Sequence, residues 1–417
     1  MDTMHTIYGN AVIGQSGGPT AAINATLAGV IRGALAHREI DKVYGAVNGI
    51  EGLLNGQLTL LNPQFEDEHA LVTLQNTPAA ALGSCRKKLP DPDADPALYE
   101  KLLAILEKYD IRYFFYIGGN DSMDTVAKLS AYAKKHGRDL RVMGVPKTID
   151  NDLECTDHTP GYGSAAKYIA CSMQEILRDC EIYPVTSVTI VEIMGRDAGW
   201  LTAAAGILRR YHGISPDCIY LPERVFSFEK FGADIEAAMK KHRSVVIAVS
   251  EGVRFADGHY VGEGRQSGAV DVFGHQYLSG TGKVLELWVK EKFGCKVRSV
   301  EVNILQRCAS HMASKTDIDE SVLIGRRAVD AAVNGETGKM MCFRRVSDAP
   351  YAAAIDSVDV SAAANKVRCV PDAYITDDGS GITDACIDYI LPLCEGETGQ
   401  EYLHGMPVHF VIDKTTV

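Results

Sequence analysis

Apolar and polar positions fall in blocks along this chain. Short apolar runs occupy residues 11–14, 111–117, 140–145, 188–193, 244–249 and 297–302. Each reads as a buried strand, and each ends in glycine or polar residues. Helix-length segments separate them. Ile23, Leu27, Val30, Ile31 and Leu35 recur at helical spacing after Pro19, which predicts a helix opened by that proline with these five on its buried face. After Ser122 a second helix is expected. Asp121 or Ser122 can cap it, Val126 and Leu129 face inward, Lys134 and Lys135 sit in its last turn, and Gly137 ends it. Further helices are predicted over residues 164–178 and 201–208. Such alternation of strand and helix is the mark of an α/β fold, with a second block starting near residue 160. Residues 257–282 hold many glycines and no periodicity, which suits either a lid over a site or a plain surface loop.

The strands at 111–117 and 140–145 with one helix between them form a βαβ unit. A right-handed crossover puts the loops after both strands at the same sheet edge. In open α/β sheets ligands bind there. One loop is Gly118-Gly119-Asn120-Asp121-Ser122; the other is Pro146-Lys147-Thr148-Ile149-Asp150-Asn151-Asp152. Glycines admit phosphate oxygens to backbone N–H groups, a lysine neutralises phosphate, and carboxylates hold a metal or take a proton. Together they point to phosphoryl transfer. Gln15-Ser16-Gly17-Gly18 makes a third loop of the same style before a helix, where anions are favoured. In the second block, Met194-Gly195-Arg196, Ser250-Glu251-Gly252 and Gln306-Arg307 likewise stand just past strand ends.

The formal charge of −12 argues against a nucleic-acid or membrane binder. It also means that an anion site must gather its own cations, for which Arg86, Lys87, Lys88 and Lys147 are placed. No apolar run reaches the roughly 18 residues of a membrane span, and no secretory signal is visible, so a cytoplasmic protein is expected. The 11 cysteines include no Cys-x-x-Cys and read as reduced thiols, with Cys308 structural rather than reactive. The G-x-G-x-x-G pattern is absent. Ser279-Gly280-Thr281-Gly282-Lys283 fails as a P-loop, since Tyr277 replaces the first glycine and Val284 follows the lysine.

Gly17-Gly18, the Gly118–Ser122 loop, the Pro146–Asp152 loop, Met194-Gly195-Arg196 and Gln306-Arg307 resemble, in order, the motif set of the 6-phosphofructokinases. The resemblance implies two Rossmann-like three-layer αβα domains with mostly parallel sheets: residues 1–160 for the phosphoryl donor, 161–305 for the sugar phosphate, and 306–417 as a return segment and extension packing on both. ATP-using members carry glycine at the positions of Asp121 and Lys147; the Asp and Lys found here are those of the pyrophosphate-dependent members. A carboxylate at 121 occupies the space of a nucleotide α-phosphate. Like charges about 4 Å apart cost roughly 4 kcal/mol at an effective dielectric near 20, on the order of a thousandfold in binding.

The resemblance further implies phosphoryl transfer from pyrophosphate to fructose 6-phosphate, reversibly, giving fructose 1,6-bisphosphate. Asp150 is the expected general base, and Thr148 is expected to hold the transferring group. Gly17, Gly118, Gly119 and Ser122 would cradle pyrophosphate, with Lys147 and Arg86 stabilising charge and Asp121 shutting out nucleotide. Asn120 and Asp152 are the expected Mg2+ ligands. Ile149, Met194, Gly195, Arg196, Glu251, Ile304, Leu305 and Gln306 line the sugar site, while Arg298 and Arg307 grip the 6-phosphate. Some of these arginines reach across from a neighbouring subunit in relatives, which implies a homodimer or homotetramer. The acceptor half departs from the pattern. Ile304 replaces a His or Tyr, Cys308-Ala309 replaces Gly-Gly, and Ser187 stands where some ATP enzymes have a basic residue. A related acceptor such as sedoheptulose 7-phosphate therefore stays open. The competing readings are an ATP-dependent enzyme and a non-catalytic sugar-phosphate-binding subunit.

Overall fold

A computed structural model of the chain describes residues 6–182, 184–263 and 280–417. The glycine-rich stretch considered as a lid lies largely outside the described residues. Two sheets organise the rest. The first contains β1 (Gly9–Gln15), β2 (Ile40–Ala46), β3 (Leu58–Leu60), β4 (Ile111–Gly118) and β5 (Arg141–Pro146). Two late strands join it, β10 (Lys339–Asp348) and β11 (Tyr351–Asp359). Its order is β11-β10-β5-β4-β1-β2-β3, parallel except for the hairpin β10–β11 and the edge strand β3. The second sheet contains β6 (Ser187–Ile193), β7 (Cys218–Tyr220), β8 (Ser244–Ser250) and β9 (Lys296–Glu301) in the order β7-β8-β6-β9, all parallel. Helices cover both sheets, so the α/β class with mostly parallel sheets is observed.

The predicted strands lie within a residue or two of these spans, and all but β9 carry apolar runs that are buried; β9, at the sheet edge, is largely exposed. The first helix departs from expectation. It spans Ile23–Ala36, so Pro19 precedes it rather than opening it, and Leu35 is exposed. The other four apolar positions are buried. The helix predicted after Ser122 begins earlier, at Asn120, with Gly119 as its N-cap and no side-chain cap. Neither Asp121 nor Ser122 caps it. The expected helix over 201–208 is instead one α-turn, Trp200–Ala203, continued as a 3-10 turn, Ala204–Gly206.

The return segment docks through helix Lys315–Val333 on helix Ile23–Ala36. The backbones approach so closely that a Cβ on Gly29 would collide with Val322 O, and one on Gly325 with Thr26 O. Only glycine fits at such a crossing. Among the described residues no helix is long and apolar enough to cross a membrane. All 11 cysteines are free. Cys308 is exposed, so it plugs no core.

Candidate active site

Sheet order explains why three loops meet. The chain leaves β1 toward β2 on one side and returns through β4 on the other, so the crevice at their carboxyl ends is a switch point of the topology. Register then levels the loops. Gln15 pairs with Ile117, and Gly118 with Pro146. Ser16–Gly18, Gly118–Ser122 and Lys147–Asp152 emerge side by side.

Lys147 is 3% exposed, and its Nζ donates to Gly18 O at 2.6 Å. Burial lowers its pKa to about 8, opposed by Asp150 and Asp152 and reinforced by Arg307 and Arg86. A buried lysine so placed is a charge meant to be used rather than solvated. Burial raises the pKa of Asp150, while Lys147, Arg196 and Arg307 draw it back down. Asp152 is pushed up to about 7, first by burial and then by the charge of Asp150. Gly118 has no room for a side chain, because a Cβ there would collide with Ser122 Oγ. The Gly118 carbonyl accepts Lys147 N–H at 3.0 Å, which ties the two donor loops together.

The second sheet presents its own loops from the facing side. Glu251 Oε1 accepts the Gly195 N–H at 3.3 Å, and Gln306 Oε1 accepts the Met194 N–H at 3.3 Å. Burial pushes the Glu251 carboxyl up to about 8, with Asp150 contributing. Arg307 crosses to the first sheet. Its pKa is lowered by burial and by Arg86, and a Cβ on Gly18 would lie 3.4 Å from its Nη1. Asp150 is thus flanked by Lys147 on the donor side and by Arg196 and Arg307 from the acceptor side.

Several of the expected site residues also make contacts within the chain. The Gly17 N–H is donated to Cys85 O at 3.1 Å, and Gly17 gives the loop its turn (φ 78). The Thr148 hydroxyl accepts the Asp150 N–H at 3.1 Å and hydrogen-bonds the Asp152 carboxylate; it shapes the loop. Ile149 packs into the core beneath the second sheet. Gln306 is 2% exposed and braces the acceptor loop, with Nε2 donating to Asn303 O at 2.8 Å. Ile304 and Leu305 face outward, away from that brace, and are 53% and 55% exposed. Arg298 lies on the exposed edge strand β9, paired with Asp179 at 3.4 Å, and does not join Arg307 within the chain. Asp121 pairs with Lys88 at 3.5 Å, so its nearest cation is not Lys147.

The structure also adds residues. Asp197, paired with Arg254, acts electrostatically on both Asp150 and Asp152. The segment Lys366–Arg368 bridges the two metal candidates: Asn120 Nδ2 donates to Lys366 O at 2.5 Å, and Arg368 N–H donates to Asp152 O at 2.8 Å. Nothing in the sequence around 366–368 marks it, whereas Asp197 directly follows the Met194-Gly195-Arg196 motif.

The phosphofructokinase family model matches residues 10–332. The chain belongs to the phosphofructokinase family. It is 41% identical over 401 residues to the pyrophosphate–fructose 6-phosphate 1-phosphotransferase of Halomonas elongata, covering 95% of this chain and 94% of the relative. It is 42% identical over 412 residues to the enzyme of that name from Xanthomonas campestris, covering 98% and 97%. Among solved structures, the pyrophosphate-dependent phosphofructokinase of Nitrosospira multiformis superimposes with a TM-score of 0.89 at 38% identity, covering 98% of each chain.

Proposed function

We propose that this chain transfers a phosphoryl group from pyrophosphate to the 1-hydroxyl of fructose 6-phosphate, releasing phosphate and fructose 1,6-bisphosphate. The observation that carries this reading is the pair of substitutions that narrow the donor loops, Asp121 and the buried Lys147, in a chain whose relatives carry pyrophosphate in their names. Asp150 takes the proton of the sugar hydroxyl as its oxygen bonds to phosphorus. The bridging P–O bond breaks, and the electron pair leaves on phosphate. A carboxylate whose pKa is raised by burial is the better base. Lys147 and Arg86 offset charge on the transferring and leaving oxygens, with Arg307 joining them from the acceptor side. Arg196 and Glu251 orient the sugar. Asp121 blocks the volume a nucleotide needs. The bonds broken and made are both phosphoryl bonds of similar energy, so the reaction runs either way.

Magnesium suits the donor loops. Asn120 Oδ1 is buried with no partner among the described residues, while its Nδ2 is tied down, and Asp152 is a half-buried carboxylate of raised pKa. Mg2+ takes one or two such oxygens and fills its other positions with water and phosphate. Asn120 and Asp152 would hold it, and it would neutralise phosphate charge. Exposed Arg298 on the bare edge of β9, with Ile304 and Leu305 beyond it, suits a homodimer or homotetramer in which Arg298 serves a neighbouring subunit's 6-phosphate. A cytoplasmic location fits substrates that are phosphorylated anions.

A coupled assay run in parallel with pyrophosphate and with ATP tests the donor. Turnover with pyrophosphate is expected; turnover with ATP alone refutes it.

A further inference from the structure

Between the two loop carboxylates stands Asn151, fully buried and with φ of 54°. That left-handed conformation is uncommon outside glycine and needs support from its surroundings. The support comes from far along the chain. Asn151 Nδ2 donates to the Tyr389 hydroxyl at 2.9 Å, and that hydroxyl donates to Asp157 O at 2.6 Å. Arg368 Nη2 donates to the same hydroxyl at 3.2 Å, while its Nη1 approaches Asn151 O at 3.4 Å. Two guanidinium groups approach the Tyr389 ring, Arg345 at 4.5 Å and Arg368 at 5.6 Å from its centroid. Trp200, at the start of the turn that follows the Met194–Arg196 loop, packs on it with centroids 5.1 Å apart. Tyr389 and Arg368 both lie beyond residue 332, where the family match ends.

We propose that Tyr389 is a positioning residue for phosphoryl transfer: through the amide of Asn151, its hydroxyl holds the Asp150 loop in the geometry that proton transfer requires. The inference rests on the reading of Asp150 as the base. The hydroxyl, not the ring, is the element that acts. It accepts from the buried Asn151 amide and the half-buried Arg368 guanidinium and donates to the Asp157 carbonyl, so losing it frees the Asn151 side chain while the ring keeps its packing. Misplacing a catalytic group by about 1 Å costs on the order of a hundredfold in rate.

Tyr389→Phe tests this. We expect kcat to fall about tenfold or more, with KM for pyrophosphate and for fructose 6-phosphate each within about twofold of the parent. Asn151→Gly accommodates the positive φ while deleting the amide, and should show the same split. The double variant should be no slower than Asn151→Gly alone, because the hydroxyl acts through the amide. Unchanged kcat in Tyr389→Phe overturns the proposal. So does a rise in both KM values that matches the fall in kcat, or losses that multiply in the double variant. If Tyr389→Phe does not fold, normal kcat in Asn151→Gly still overturns it. Asp150→Asn run alongside keeps the two readings apart: full activity there rejects the base, whatever Tyr389→Phe does.

Discussion

The carboxyl edges of the two sheets differ in how self-contained they are. On the seven-stranded sheet, adjacent parallel strands of matched register bring Gly118, Lys147, Asp150 and Asp152 together within one chain. On the four-stranded sheet, Arg196, Glu251 and Arg307 reach the same crevice, but Arg298, Ile304 and Leu305 turn toward the outer edge. The donor half is built by backbone geometry, which short motifs encode. The acceptor half is built partly by long side chains, and its β9 edge is exposed.

The largest test removes what both halves serve. Asp150→Asn should lower kcat by about 10² to 10⁴ with modest changes in KM, measured by steady-state turnover. Retained activity would dissolve the distinction between the halves, since neither would be aimed at a base. Next, Asp121→Gly combined with Lys147→Gly should improve ATP binding, up to about a thousandfold, in a nucleotide titration. Because Lys88 already sits 3.5 Å from Asp121, the gain should fall short of that ceiling. No gain would show that the donor loops do not choose the donor.

Arg298→Ala sharpens the acceptor side. It should raise KM for fructose 6-phosphate about tenfold while leaving that for pyrophosphate unchanged, the loss expected for a charge-assisted hydrogen bond. Its exposed pair with Asp179 is too weak for its loss to alter stability much. An unchanged KM would leave Arg298 a surface residue and the acceptor half complete within one chain.

The smallest effect concerns the strut behind the donor half. His158 is buried between Asp157 and Glu320, at 2.8 Å from each, and stacks on Phe343. Burial alone would lower its pKa, yet the two carboxylates raise it above the usual histidine value of about 6.5. A raised folded pKa gives stability that is complete below the unfolded value and is lost as pH rises through the folded one. Denaturant unfolding should therefore show the parent's advantage over His158→Gln shrinking from mildly acidic to alkaline pH. A constant advantage would mean that the cluster holds a neutral imidazole.

Much of the site was legible because its meaning is local. Gly118-Gly119 after an apolar run, and Lys147 and Asp150 after the next, needed only strand order to converge. Less legible are the contacts a residue makes with partners outside its motif. Gln306 holds the Met194 loop through a hydrogen bond that spans 112 positions, which the sequence does not place beside it, whereas Thr148 bonds within its own loop. The Gly17 N–H is likewise donated outside its motif, to Cys85 O. Ile149 sits inside a motif yet serves the core.

The sequence alone determined the α/β alternation, the glycine-rich loops at the strand ends and the charged residues they carry. Those follow from periodicity and from the few residue types that tolerate tight turns or carry charge. Only the tertiary structure decided that Asn151 is held by Tyr389, that Lys366 and Arg368 brace the candidate metal loops, and that Arg298 stands apart from Arg307. These contacts join residues separated by up to 246 positions through single hydrogen bonds, which have no period and no motif. Packing fixes them, and packing is a property of the whole chain at once.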